Sequence, residues 1–290
     1  MIGVLLIFLL VNCAPPMALR RTSRLHINLF LHDLEASTKL NSTHTETAPY
    51  DPTHEYATHC RTILKKSTGL RSAFIGFPPT SSASLTPSNT FILPTPSSSS
   101  VSSPSNFQFS KSRVHVILGL PRPLVLQRVL KTLATFGVGS VQLLKASKTE
   151  PQYFGSHLLR GFTCFDPSTP FNATTPLGET VVKGLEQGGH PYPPQIHVRK
   201  SLWKLDLRGR GVVPHPRRTS KTVSEVLRGA GPEEDVTVAI GPESGWTDEE
   251  IEWLEGRGFD VVTLGAEILT VGEAATATVG IVRDAVGSNP

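Results

Sequence analysis

Two short stretches, Gly241-Pro242-Glu243-Ser244-Gly245-Trp246 and Leu264-Gly265-Ala266-Glu267-Ile268-Leu269, hold the residue types that could serve a bound ligand. Glycine lets backbone approach a small molecule closely, and the amides and carbonyls of such loops can hydrogen-bond the edge of a purine. Each stretch follows a short run rich in β-branched residues, Val236 to Ile240 and Asp260 to Leu264, of the kind that forms a buried strand. Each also leads towards a helix. Thr247 is suited to cap one, with Glu250 three residues on completing a capping box, and Glu273 to Gly280 is a small-residue helical run. Two parallel strands ending in glycine loops set those loops side by side at the carboxyl edge of a sheet, where open α/β folds bind ligands.

The elements that must position these loops follow from periodicity. Val114 to Leu120 reads as a buried strand, and Leu126, Val129, Leu130 and Leu133 give the helix Leu124 to Phe136 one apolar face. Gly137 to Leu144 is a turn and the next strand, and this strand, helix, strand rhythm predicts parallel pairing. Gly178 to Gly188 reads as a further helix stopped by Gly188-Gly189, and Gln195 to Val198 and Gly211 to Pro216 as two more strands.

Ile240-Gly241-Pro242-Glu243-Ser244-Gly245-Trp246-Thr247, Leu264-Gly265-Ala266-Glu267-Ile268-Leu269 and the following Glu273-Ala274-Ala275 resemble the carboxyl-terminal motifs of the SPOUT methyltransferases. Within that group they are most similar to the small-subunit ribosomal RNA uracil-N3 methyltransferase E family. Leu120-Pro121-Arg122-Pro123, Phe136-Gly137-Val138-Gly139 and Tyr153 to Leu159 look like its eukaryotic branch. The resemblance implies an α/β fold, a parallel sheet with flanking helices and a deep trefoil knot, rare among chains that otherwise avoid threading. It implies S-adenosylmethionine as cofactor, held by Ile240, Gly241, Pro242, Gly245, Leu264, Gly265, Ile268 and Leu269. It further implies small-subunit ribosomal RNA as substrate, and a homodimer whose partner subunit can complete the site.

The chemistry then expected is transfer of a methyl group to N3 of a uridine. The cofactor's sulfonium makes that methyl electrophilic without a metal, so the protein must align N3 and help remove its proton. Glu243, Glu186 and Glu273 are the acids nearest the motifs and are left unranked as the base. Glu186-Gln187 resembles the family's helix end near the catalytic cleft, with an ordinary polar helix terminus as the alternative; His215-Pro216 resembles its His-Pro strand end, with a structural histidine as the alternative. One departure stands out. The family has an Arg directly after the Ile-Leu of the last loop, where this chain has Thr270, and its Glu sits one place later as Glu273. An Arg there would bind phosphate or stabilise the deprotonated base. The rival reading is therefore a catalytically impaired SPOUT-fold RNA-binding or ribosome-assembly protein.

Length, charge and cysteines frame these readings. At 290 residues and 38% apolar content the chain can build one large domain or two modest ones, and a net charge of +4 permits an RNA partner without demanding one. Its three cysteines, Cys13, Cys60 and Cys164, are isolated, which argues against a disulfide framework or a structural zinc. The organisation expected is a targeting leader over 1–24, a partial PUA-like RNA-binding segment over 25–76, a flexible linker over 77–110 rich in Ser and Pro, and the methyltransferase domain over 111–287. The apolar run Ile2 to Val11 is too short to span a bilayer. With the Arg-rich segment after it, it suggests a chloroplast or mitochondrial address, with the cytoplasm as alternative. In the second segment Arg24 to Leu31 reads as a strand and Asp51 to Lys66 as a helix, with His54, His59 and Arg61 as its polar face.

Overall fold

The computed structural model describes residues 107–287, apart from 170 and 217–220, together with 30–32, 47–49, 70–76, 80–85 and 90–92. The earlier segments form strands β1 (Phe30–His32), β2 (Thr47–Pro49), β3 (Leu70–Phe74), β4 (Thr80–Leu85) and β5 (Thr90–Ile92). They make one sheet in the order β1-β3-β4-β5-β2. β1 pairs with β3 in parallel, and the remaining pairs are antiparallel. The strand expected from Arg24 to Leu31 meets β1 at its last two residues, while the helix expected over 51–66 lies outside the described residues. β4 and β5 lie within the stretch 77–110 expected as a flexible linker, of which 77–79, 86–89 and 93–106 lie outside the described residues. Ladder hydrogen bonds join backbone groups, which serine- and threonine-rich chain supplies as well as any other. Gly76 ties this part to the rest, its N–H donating to Pro191 O at 2.7 Å and its carbonyl accepting from Gln108 N at 3.0 Å.

The second sheet contains β6 (Val114–Gly119), β7 (Ser140–Leu144), β8 (Cys164–Phe165), β9 (Gln195–Arg199), β10 (Arg210–Pro214), β11 (Val236–Ile240) and β12 (Phe259–Val262), in the order β12-β10-β11-β6-β7-β9-β8. Every pair is parallel except β8 with β9. Successive side chains of the central strands enter opposite cores: Val116 and Leu118 of β6 pack in one, Ile117 in the other. Burial on both faces explains why β6 and β11 read as unbroken apolar runs.

Helices α1 (Pro123–Phe136), α2 (Pro176–Gly188), α3 (Val223–Val226), α4 (Asp248–Glu255) and α5 (Val271–Val286) complete the domain. α1 starts on Pro123, one residue before the expected Leu124, because Pro is pre-organised for a first turn, and it ends at the expected Phe136, closing on the left-handed Gly137 (φ 65°). α2 begins two residues before the expected start because Thr175 caps it, accepting from Gly178 N, and Pro176 is pre-organised for the first turn. α1, α2 and α5 supply the larger core, while Ile251 and Leu254 of α4 join the smaller one on the other face.

The order of strands carries a topological consequence. β12 is an edge strand, yet α5 packs on α1, β6 and β11 in the middle of the sheet and also meets α3. The chain therefore turns back from the edge past β10 and its connection to β11, the traverse that a trefoil knot requires. Thr263 marks that crossing: its N–H donates to Lys221 O at 2.8 Å, and it bridges Thr222 in parallel.

Candidate functional site

Parallel pairing brings the ends of β6, β10, β11 and β12 to one edge. The loop after β11 is held at both sides. Ile240 is buried, and Pro242 lies against the end of β6, where a Cβ on Gly119 would come within 2.5 Å of Pro242 Cδ. Glu243 Oε1 accepts from Arg122 N at 3.0 Å and Arg122 Nε at 3.2 Å, fastening the loop to the turn before α1. On the other side Lys148 Nζ donates to Trp246 O at 3.0 Å, and Ser244 Oγ donates to Lys148 O at 3.1 Å. Gly245 adopts φ 71° and closes the turn by donating its N–H to Pro242 O at 2.8 Å. Thr247 then caps α4 in the expected capping box with Glu250.

The loop after β12 is open by comparison. Gly265 has φ 127°, a conformation that strains any residue with a Cβ, and its N–H is held by Thr263 Oγ1 at 3.1 Å. Leu264 and Leu269 are half-buried, whereas Ala266, Glu267 and Ile268 are exposed. The N–H groups of Ala266, Glu267, Ile268 and Leu269 make no hydrogen bond with the described residues. Four unspent donors on an exposed glycine loop beside a pinned one form a cradle for a ligand with several acceptors. Among the described residues no group of His, Cys, Asp and Glu could hold a metal ion.

The candidate catalytic residues separate under this geometry. His215 reaches the edge: it directly follows β10, and its N–H donates to Val262 O at 3.1 Å beside the second loop. Glu243 is present but engaged by Arg122. Glu273 is also at the edge, yet it completes a capping box at the start of α5, accepting from Thr270 N at 2.8 Å. The bonds from the Thr270 backbone and hydroxyl hold its carboxyl below the ordinary range, which disfavours it as a proton acceptor.

Glu186 is placed elsewhere, a correction to its grouping with the loops. It lies near the end of α2, which leads to the amino end of β9, where Gln195 N donates to Gly139 O at 3.0 Å. α1 runs from the carboxyl edge to that opposite edge, so its 14 residues separate Glu186 from the loops by roughly 20 Å. Helical spacing showed that Glu186 ends a helix but not which end of the sheet that helix reaches.

The roles of three residues escaped sequence reasoning. Arg122 and Lys148 pin the first loop from 121 and 98 positions away in the chain. No local pattern signals such partners. Trp246 is 4% exposed and sits beneath the loop, where a Cβ on Gly241 would meet its N at 3.2 Å and its Nε1 at 3.3 Å. Its Nε1 is buried without a hydrogen-bond partner among the described residues. Thr270 was legible as a departure, although its work as a helix cap was not.

Comparison with known proteins adds an independent line. Residues 170–283 match the family model described as RNA methyltransferase domain. The chain is 26% identical over 175 residues to ribosomal RNA small subunit methyltransferase E of Treponema pallidum, covering 58% of this chain and 61% of that protein. It is 22% identical over 171 residues to ribosomal RNA small subunit methyltransferase E 1 of Borreliella burgdorferi, covering 59% and 66%. The matches thus span less than two thirds of those relatives' length. The structure is similar to that of a ribosomal RNA small subunit methyltransferase E from Neisseria gonorrhoeae bound to S-adenosyl methionine, with TM-score 0.54 and 16% identity over 91% of this chain and all of that one. A Legionella pneumophila structure in complex with the bound cofactor SAM gives TM-score 0.56 at 16% identity, again over 91% of this chain and 100% of its own. The family resemblance and the α/β fold expected from the two loops are borne out.

Proposed function

We propose that this chain, whose carboxyl-terminal domain has the fold and the domain match of an RNA methyltransferase, binds S-adenosylmethionine and methylates N3 of a uridine in small-subunit ribosomal RNA. The observation that carries the reading is the pairing of the pinned Gly241–Gly245 loop with the open Gly265 loop and its four unspent N–H donors. Those donors suit a ligand with acceptors on its purine and its carboxylate, and Ile240, Pro242, Leu264 and Leu269 offer apolar walls. The bound cofactor supplies an electrophilic methyl group.

What the chain itself supplies is position. Arg122 and Lys148 fix one loop, Thr263 and the capping box of Thr270 fix the other, and His215 stands at the strand end between them. Holding two reactants in line lowers the barrier more than a weak base would. The homodimer belongs to this reading: Leu124 and Ile268, 70% and 88% exposed, are large apolar side chains at the same carboxyl edge that a second subunit would cover.

The test begins with calorimetric titration of the purified chain with S-adenosylmethionine. Saturable binding is expected, with a loss of about fivefold or more in Gly265→Ala, because a Cβ at φ 127° strains the loop by about 1–3 kcal/mol. Incubation with a small-subunit rRNA fragment, followed by nucleoside mass spectrometry, should then show 3-methyluridine. Absence of cofactor binding would overturn the reading. Cofactor binding without any RNA methylation would favour the impaired, RNA-binding alternative, for which Thr270 in the place of an Arg is the specific observation.

A further inference from the structure

Away from the two loops, one side chain is exposed against its chemistry. Trp203 is 74% exposed in the turn Leu202–Lys204. The turn is firmly seated: Leu202 and Leu205 pack against the smaller core, and Ser201 Oγ accepts from Trp203 N at 3.3 Å. Trp203 meets the ring of Trp253 edge-on, with centroids 5.5 Å apart at 88°. Arg257 in turn lies over Trp253, with Cζ 4.6 Å from the ring centroid. An indole that is 74% exposed and touches its neighbour only at right angles offers ring surface to solvent, and every nucleobase has a face to stack on it.

The surroundings are cationic. Lys204 is the next residue, and Lys200 follows the strand that leads into the turn. Lys145 is beside them, its N–H donating to Arg199 O at 2.8 Å. Lys145, Lys200, Lys204 and Arg257 are exposed and make no ion pair with the described residues. The nearby acid Asp206 is engaged by Arg208 at 2.6 Å, and Glu252 of α4 is an exposed counter-charge on the adjoining helix. The patch is also continuous with the proposed methyl-transfer site. Residues 145–148 run from one to the other: Ser147 N donates to Glu250 Oε1 at 2.7 Å, and Lys148 holds Trp246 O.

We propose that Trp203, with Lys145, Lys200 and Lys204, forms a stacking platform for single-stranded RNA next to the methyl-transfer site. An unstacked base rests on the indole while the lysines meet flanking phosphates, so the strand is steered into the edge where the two loops lie. The choice of RNA as occupant follows from this pairing of an aromatic face with unpaired lysines, and it rests on the methyltransferase reading for the purpose of the contact.

The test uses the full chain and a single-stranded oligouridine of about 12 nucleotides, a length within the usual range of such sites. Binding is followed by fluorescence anisotropy of labelled RNA and by quenching of tryptophan emission, Trp203 being the most exposed of the chain's three tryptophans. Trp203→Ala should weaken binding about tenfold and abolish most of the quenching, while Trp203→Phe should restore most of the affinity. The double variant Lys200→Glu with Lys204→Glu should weaken binding further and lower the slope of log K against log salt by about 1.4, or 0.7 for each phosphate no longer neutralised. Cofactor affinity and the urea midpoint should be unchanged in all three. RNA affinity that stays within twofold in both Trp203→Ala and the lysine variant would overturn the proposal. So would a shift of the sedimentation profile from dimer to monomer in Trp203→Ala, which would assign the indole to a second copy of the chain. Failure to bind S-adenosylmethionine with Trp203-dependent RNA binding intact would instead sink the methyltransferase reading and leave the platform standing.

Discussion

Thr270 stands where the family that the loop motifs resemble is expected to have an Arg, and the structure gives Thr270 a job of its own. It caps α5, with its hydroxyl accepting from Glu273 N at 3.4 Å and its N–H donating to Glu273 Oε2 at 2.8 Å. A gain of charge at this position therefore competes with the loss of a cap. Thr270→Arg is expected to destabilise the domain by about 1 kcal/mol, read as a lowered urea midpoint, with Thr270→Ser near the natural value. If methyl transfer rises in Thr270→Arg in spite of that loss, the Arg acts on RNA or on the developing charge. A midpoint that does not move would show that the capping box contributes nothing to the start of α5. The acid depends on the same cap. Because Glu273 is held ionised by the Thr270 bonds, its contribution to folding is present above its unfolded pKa and fades as pH falls through the depressed folded value.

At the scale of elements, the domain depends on how closely α2 lies on α1. Gly184 makes that approach possible: a Cβ there would run into Lys131 O and come within 2.6 Å of Ala134 Cβ. Gly188 does the same against Thr135 O one turn later. In an exposed helix Gly→Ala is stabilising by propensity; here the contact is with backbone, which cannot move aside. Gly184→Ala should therefore lower stability by about 1–3 kcal/mol, measured by urea denaturation. A stabilised variant would mean that the two helices separate without cost. The expected losses of cofactor affinity in Gly265→Ala and of stability in Gly184→Ala have different causes, backbone strain in the first and overpacking in the second. Gly265→Ala should leave the urea midpoint closer to the natural value than Gly184→Ala does.

For the molecule as a whole, the amino edge of the sheet carries a pH-dependent lock. His115 at the start of β6 is 4% exposed, with Nδ1 2.9 Å from Ser140 Oγ of β7 and Nε2 3.6 Å from Asp235 Oδ1 just before β11. Burial pushes its pKa down from 6.5 and outweighs the attraction of Asp235. The unfolded chain therefore binds a proton that the folded chain refuses, so stability falls as pH drops below about 6.5 and the loss levels off only below the folded pKa. The urea midpoint should be lower at pH 5.5 than at pH 7.5, and His115→Asn should flatten that difference. His197, whose pKa burial also lowers, contributes in the same direction. An identical pH profile in His115→Asn would assign the effect elsewhere.

The sequence by itself determined the parts of this protein whose causes are local. The helix α1 follows from four apolar residues at helical steps, the cap at Thr247 lies three residues from its partner Glu250, and β6 and β11 announce double-sided burial by their unbroken apolar runs. The two glycine loops were legible because conformation at a strand end is written in the residues that make the turn. Tertiary structure alone decided which residues meet. The pairing of β12 with β10, the return of α5 to the centre, the engagement of Glu243 by Arg122 and the removal of Glu186 to the far edge all join positions distant in the chain. Periodicity reports which face of an element is buried, and nothing in it reports what lies against that face. Trp203 shows the same division from the other side: no local pattern marks its ring as exposed, and its 74% exposure goes with the seating of its neighbours Leu202 and Leu205 against the smaller core.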